Sequence, residues 1–484
     1  MPGMSTSATS PVIPGFHPDP TVCRVGDDYY LANSSFEYFP GAPLFHSRDL
    51  LSWTQIGNIL TTREQFVEGD ARPSHGIYGS TLRFHDGRFH FVTTNVSDYD
   101  AGQVIVTAID PAGPWSAPVR VPGAIGIDPD LCWDGDTCLL TWKALDTESG
   151  MVGIHQAPVD VATGDLLAGP IPLWQGSGMA HAEAPHLYRI GPWWYLVLAE
   201  GGTERGHCVT VARSTSPHGP FEPCPDNPIL TRRSTTEPVQ SVGHADLVEG
   251  PQGWAAVHLG TRPRGSTPGF HVLGRETFLA GVDWRDGWPV MVPDRFELPV
   301  PDTGYVDTFE TPDLDVRWVV PSGDLTCVTR RVPSGITIPA GRRVCTRVRD
   351  LRWHARATVE RSGGLELRID PRHAYGVTFG AGAVRAYARI GGIETELASV
   401  ENYGGGAELA ISAIDPTSTP LVMGDAGPDE IVLGAVVDGE HVELARVDGR
   451  YLSTEVAAGF TGRMLALGSN EAATEVTRFG YAPA

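Results

Sequence analysis

Three acidic residues stand at matching points of separate, similar stretches of the chain. Asp19 lies seven residues before Gly26, Asp128 seven before Gly135 and Glu183 eight before Gly191, and each opens a short apolar run that ends in that glycine turn. Carboxyls that converge from distant stretches can hold a cation between them, or they can divide protonation states so that one serves as base and another as acid. Crowding of like charges raises at least one pKa. Taken singly, each acid also reads as the cap of its own turn, since Asp-Pro is a common turn opening.

The elements that must position these acids follow from an internal repeat. A polar or acidic start, a short apolar strand, a glycine turn and an aromatic or aliphatic strand recur from Asp19, Ser80, Asp128, Glu183 and Gly243, at intervals of 61, 48, 55 and 60 residues. Each period has room for about four short strands, the length and content of a propeller blade. Five repeats predict five blades. Further strand signals, among them Gln103 to Ala108 and Cys208 to Arg213, fit as later strands of each blade. The innermost strands of a propeller start at its axis, so the residues that open the repeats point toward one central funnel.

After Trp288 the repeat stops, and the chain from Val292 to Gly304 is rich in turn formers. Beyond it, stretches of period two such as Leu365 to Ile369, Ala383 to Ile390 and Val442 to Val447 are separated by turns such as Asp438-Gly439 and Asp448-Gly449. They predict a β-sandwich. The fold class is therefore all-β: a tail over 1–10, a five-bladed β-propeller over 11–300, a linker over 301–305, and a β-sandwich of jelly-roll or concanavalin-like type over 306–484.

Composition narrows the ligand. The 484 residues carry 58 acidic and 36 basic side chains, a formal charge of −22, which repels phosphate backbones and suits a neutral or cationic ligand. Glycine (57) and proline (40) together supply 97 residues, in keeping with many turns, while the only lysine is Lys143. No apolar run approaches the length of a membrane span. Seven scattered cysteines do not form a disulfide framework, although Cys132 and Cys138 flank one turn and could face each other. Met1 to Ser10 has neither a basic cluster nor an apolar core, and a cytoplasmic location is expected.

Gly15-Phe16-His17-Pro18-Asp19-Pro20, Arg24 to Leu31, Ser34 to Gly41 and His46 to Leu50 with Trp53 resemble the opening of glycoside hydrolase family 43, in its β-xylosidase-like branch. Gly126 to Pro129, Glu183 to Tyr188, Ala199 to Thr203 and Leu273 to Thr277 follow in the family's order, so the resemblance spans the first 300 residues. Val306 to Phe309 and Arg317-Trp318 are similar to the start of the family's C-terminal sandwich. The resemblance implies an inverting hydrolase with Asp19 as general base, Glu183 as general acid, and Asp128 holding Glu183 protonated and oriented. An inverting mechanism needs one ionised and one protonated carboxyl on opposite sides of the sugar.

By the same resemblance Arg275 would clamp sugar hydroxyls, and His244 would sit near the funnel's centre, contacting a cation or holding the acids by hydrogen bonds. Phe36, Tyr38 and Tyr78 would form the wall on which the sugar stacks, with Ile127 beside Asp128. Two departures bear on the pocket: Tyr78-Gly79-Ser80 stands where this branch reads an aromatic followed by Ala-Pro, and Ile127 where some xylosidases carry phenylalanine. The expected function is an exo-acting β-1,4-xylosidase on short xylo-oligosaccharides. The alternatives are an α-L-arabinofuranosidase and a non-catalytic sugar-binding propeller. No cofactor is required by this reading, with a structural Ca2+ at the propeller centre the one ion it leaves room for. The expected partner is a xylo- or arabino-oligosaccharide, with no nucleic acid or membrane, and a homo-oligomer stays open.

Overall fold

The structure, a computed structural model, describes all residues except 1–3, 69–71, 147–149, 267, 312, 322, 331–334, 402–404, 418–426 and 438–439. Its first compact unit comprises Met1–Ile13, His17–Thr261 and Glu276–Pro301. Five antiparallel sheets of consecutive strands build this unit, one for each sequence repeat. Their innermost strands are Thr21–Val25 (blade I), Ile77–His85 (II), Gly126–Asp134 (III), Glu183–Ile190 (IV) and Gln240–Gly250 (V). Neighbouring blades bury apolar side chains against each other. Val22 and Leu31 of blade I, for example, pack with Val257 and Leu279 of blade V, joining the last blade to the first.

The inner strands share a local irregularity that matters for function. In blades II to V the register with the second strand slips near the start, between Ile77 and Ser80, Ile127 and Asp130, Glu183 and His186, and Gln240 and Asp246. Non-glycine residues take positive φ in three of these bulges, Asp128 (55°), Ala184 (50°) and His244 (51°), and Asp19 (50°) does so just before the strand of blade I. A bulge of this kind turns the strand and re-aims a side chain, at a cost in backbone strain that the surrounding packing must offset. Glu183 immediately precedes the strained position of its blade, which is why its spacing to the glycine turn is one residue longer than in the other two acidic starts.

Two residues further on, a buried polar layer closes the ring. Asp246 of blade V accepts from the Thr21 hydroxyl at 2.8 Å and the Val22 amide at 2.9 Å, both in blade I. Thr21 Oγ1 in turn receives the Leu82 amide of blade II at 2.9 Å, and Asp130 of blade III receives the Leu187 amide of blade IV at 2.9 Å. The Tyr188 hydroxyl of blade IV donates to Asp246 at 2.5 Å and accepts the Leu247 amide at 2.9 Å. Arg83, from blade II, reaches into this layer and bridges Asp130 (2.9 Å) and Asp246 (2.8 Å). The guanidinium, histidine His186 and the hydrogen bonds hold the Asp246 carboxyl well below the usual carboxylate range against the opposing effect of burial.

The second unit comprises Pro14–Phe16, Arg262–Arg275 and Asp302–Ala484 and contains two antiparallel sheets. One holds eight strands, with Trp353–Glu360 between Gly406–Ile414 and Thr474–Pro483. The other holds six, from Val344–Arg347 through Gly363–Asp370 to the edge strand Ile393–Glu401. Trp353, Leu367, Val377, Leu409, Leu433 and Leu465 contribute to the core, and the buried pair Arg463–Asp429 joins within it at 2.5 Å. This is the sandwich expected from the period-two stretches, each of which lies in a strand. The Asp438-Gly439 turn lies outside the described residues.

The expected boundaries are refined at three points. Within the 1–10 tail, Met4–Thr6 pairs antiparallel with Glu297–Pro299, a strand inside the turn-rich stretch. Two three-residue strands show no periodicity, so only their pairing reveals them. The 301–305 linker is also shorter than expected, since the strand Tyr305–Asp307 already pairs with Thr474–Pro483. The 11–300 propeller gives up Pro14–Phe16 and Arg262–Arg275, and the latter segment is held in the second unit by Arg264–Asp415 (2.5 Å), His271–Glu455 (2.7 Å) and the Arg463 amide on the Val272 carbonyl (3.0 Å). Cys132 and Cys138 are both free thiols. Trp133, not Cys132, stands opposite Cys138 in the strand register.

Replacing the axial guanidinium tests the closure. Arg83→Met leaves Asp130 and Asp246 buried without their cation, and removal of one partner from a buried ion pair costs about 3–5 kcal/mol. The expected result is a fall of that size in urea unfolding, partly restored when Asp246→Asn is added. A loss below about 1 kcal/mol, within the range of an exposed pair, would show that the axial network is dispensable.

Candidate active site

The strained starts of the inner strands bring four of the singled-out residues together at one end of the axial layer. The Asp19 carboxyl accepts from Ser34 Oγ at 2.7 Å and lies 3.4 Å from Nδ1 of His244. Asp128 accepts the backbone amide of Ala184, the neighbour of Glu183, at 3.2 Å. Gly79 stands between the two groups. A Cβ there would lie 2.3 Å from Asp128 Oδ1 and 2.9 Å from the His244 ring. Glycine at position 79 thus leaves the space that this Asp128–His244 arrangement fills.

The electrostatics of the cluster are unequal. Burial, followed by the charges of Glu183 and Asp19, pushes the Asp128 carboxyl up to about 8. Burial and crowding together favour the protonated form of Asp128. Burial lowers His244 to about 4 against the opposing pull of Asp19, so its ring is neutral at pH 7.

Glu183 is the most accessible of the three carboxyls, with 19% of its side chain exposed, and it has a partner that the sequence reading passed over. Lys143 Nζ donates to Glu183 Oε2 at 2.9 Å. The signal for it was present, because Lys143 and Ile127 lie eight residues on either side of Gly135, the turn of their hairpin, and pair across it. Gly126, at a φ of 149°, sits where a Cβ would be 2.0 Å from the Lys143 carbonyl, so the two backbones approach closely at the point where the lysine leaves its strand. Glu200, from the family-like Ala-Glu-Gly-Gly-Thr run, is also fully buried. It receives the Ser177 and Met179 amides (2.8 and 3.1 Å) and the Thr210 hydroxyl (2.6 Å), and so shapes the 177–179 loop.

The other expected contacts divide. Phe36 and Tyr78 are neighbours, with ring centroids 5.0 Å apart; Phe36 is buried, Tyr78 is half-buried, and the Tyr78 hydroxyl donates to the Ser74 carbonyl at 2.9 Å. Ile127 is half-buried beside Lys143. Tyr38 is 0% exposed and is a core residue, which removes it from the sugar-facing wall. Arg275 is buried, with its guanidinium 5.6 Å from the Phe460 ring centroid. Asp130 and Asp246 are engaged by Arg83, and among the described residues no three or more His, Cys, Asp or Glu side chains are grouped to hold a metal.

Comparison with known proteins shows the family. The family model for glycosyl hydrolases family 43 matches residues 8–289. The chain is 42% identical over 339 residues to a xylosidase/arabinosidase of Butyrivibrio fibrisolvens, covering 64% of each chain. It is 43% identical over 286 residues to a non-reducing end alpha-L-arabinofuranosidase of Bacteroides ovatus, covering 58% of this chain and 52% of that one. The chain thus spans less than two thirds of the length of these curated relatives. A solved structure described as Bacteroides ovatus xyloglucan PUL GH43B superposes with a TM-score of 0.87 at 29% identity, covering 98% of this chain and 99% of the other.

The raised carboxyl has a thermodynamic signature. Asp128 titrates near 3.9 when unfolded and at about 8 when folded, so its ionisation opposes folding and stability falls as pH rises through that window. Asp128→Asn removes the penalty. Its melting temperature should exceed that of wild type at pH 8, and the difference should shrink toward pH 4. A difference independent of pH would contradict the raised carboxyl.

Proposed function

The chain belongs to glycosyl hydrolases family 43, and on that premise we propose that it is an inverting exo-glycosidase that releases xylose from the non-reducing end of short β-1,4-xylo-oligosaccharides. The observation that carries the reading is the convergence of Asp19, Asp128 and Glu183 from three blades, with Asp128 raised to about 8 by its neighbours and its burial. Asp19, held by Ser34 and facing neutral His244, is the general base. It removes a proton from a water molecule whose oxygen forms the new bond to the anomeric carbon. Glu183, the most accessible acid, gives its proton to the glycosidic oxygen as the old carbon–oxygen bond breaks, so that one water is consumed and two hydroxyl-bearing products leave.

Asp128 acts through Glu183. Its bond to the amide next to Glu183 makes it the positioning group for the acid. Tyr78, packed on Phe36, and Ile127, next to Asp128 in the chain, are the apolar surfaces offered to the sugar's C–H face. Arg83 already supplies positive charge at the axis, so the mechanism calls on no cofactor. The names of the relatives also support α-L-arabinofuranoside as substrate, since the same three acids serve either sugar.

Rates on aryl β-D-xylopyranoside, aryl α-L-arabinofuranoside and xylobiose decide between the sugars, with the xyloside and xylobiose expected to be faster. Glu183→Ala should cost far more on xylobiose, whose leaving group needs protonation, than on a nitrophenyl glycoside, by on the order of 10²-fold. Asp19→Ala should lower both by similar large factors. Equal leaving-group dependence in the two variants would overturn the roles.

A further inference from the structure

Lys143 is the only lysine in 484 residues, and its ammonium rests on the carboxyl to which acid catalysis falls. Three features argue against a chance surface pair. The lysine side chain is 12% exposed, its strand is pinned by the close approach of Gly126, and Glu183 sits one residue before a bulge that fixes its direction. An ammonium in contact with a carboxyl favours the ionised form, whereas a catalytic acid has to arrive protonated. The two demands conflict within one contact.

The charges around Glu183 resolve the conflict. Lys143 comes from the second strand of blade III, Asp128 from the first, His244 from blade V, and Asp19, from blade I, stands beyond His244. The Asp128 and Asp19 carboxyls are like charges when ionised, His244 is neutral, and the Lys143 ammonium is the opposite charge in direct contact with Glu183. We propose that Lys143 is a positioning residue that sets the working pH range of the acid: its ammonium holds ionised Glu183 in place after each proton delivery and brings the acid's titration down toward neutral pH. This rests on the assignment of Glu183 as general acid.

The sign of the expected effect is fixed. Activity falls on the alkaline side as the acid loses its proton, so removal of the ammonium moves that limb of kcat/KM to higher pH. Lys143→Met should shift the limb upward by about one pH unit or more, as expected when an opposite charge within contact distance is lost. Lys143→Arg keeps the charge and should leave it within a few tenths of a unit of wild type. A merely structural lysine would lower the rate in both variants with the limb in place, and that result overturns the proposal.

A second measurement does not depend on a variant that folds. Reductive methylation of the wild-type protein with ¹³C-formaldehyde retains the charge and labels one side chain besides the terminal amine. The Lys143 methyl signal should show an inflection at the pH of the alkaline limb, and the inflection should vanish in Glu183→Gln. A signal without that inflection also overturns the proposal. Failure of the acid assignment itself is read separately, from the leaving-group dependence of Glu183→Ala.

Discussion

Arg83 carries a positive charge into the place where five strands meet, and the rest of the propeller is arranged around that charge. Its guanidinium joins Asp130 of blade III to Asp246 of blade V, and Asp246 in turn binds the first blade through Thr21 and Val22. Buried charges are tolerated only when paired and hydrogen-bonded. The ring must therefore close in one register for any of these groups to be satisfied. A closure left to apolar packing between blades would permit small rotations; a layer of directional bonds does not.

The register set by that layer decides what happens two residues earlier. The strands reach the funnel through bulges and positive-φ residues, and the side chains at those points face one another instead of alternating along regular strands. Asp128 is then too close to Glu183 and Asp19, and too deeply buried, to remain ionised at neutral pH. Stability is given up at the same backbone positions where proton chemistry is gained, which is the usual location of strain in a fold. Lys143 brings an opposing charge to Glu183 from the neighbouring strand.

Much of this was legible in the sequence. Five repeats gave the blade count because each blade must bury its faces against neighbours of the same design, and the acids were visible because they open three of those repeats. The offset of Glu183 by one residue was readable too, although its meaning as a bulge appears only with the strand register. Other features were hidden for physical reasons. Strands as short as Met4–Thr6 and Glu297–Pro299 have no periodicity to detect. Tyr38 and Tyr78 are alike as residues and lie near the same motifs, yet one is core and the other half-exposed, a difference set by packing. Arg275 falls between two strands of one blade by sequence and is held by the other unit. Lys143 could have been found from the symmetry of its hairpin about Gly135, had the only lysine been followed as a position instead of a composition.

The central claim is that these carboxyls act as a separated base and acid, with no covalent bond between sugar and protein. The first-formed product anomer reports this directly, because attack by a base-activated water inverts the anomeric centre while a carboxylate nucleophile leads to retention. Proton NMR recorded during the first turnovers of an aryl β-D-xylopyranoside should show α-xylose appearing first, with β-xylose following only by mutarotation. Initial release of β-xylose would contradict the account.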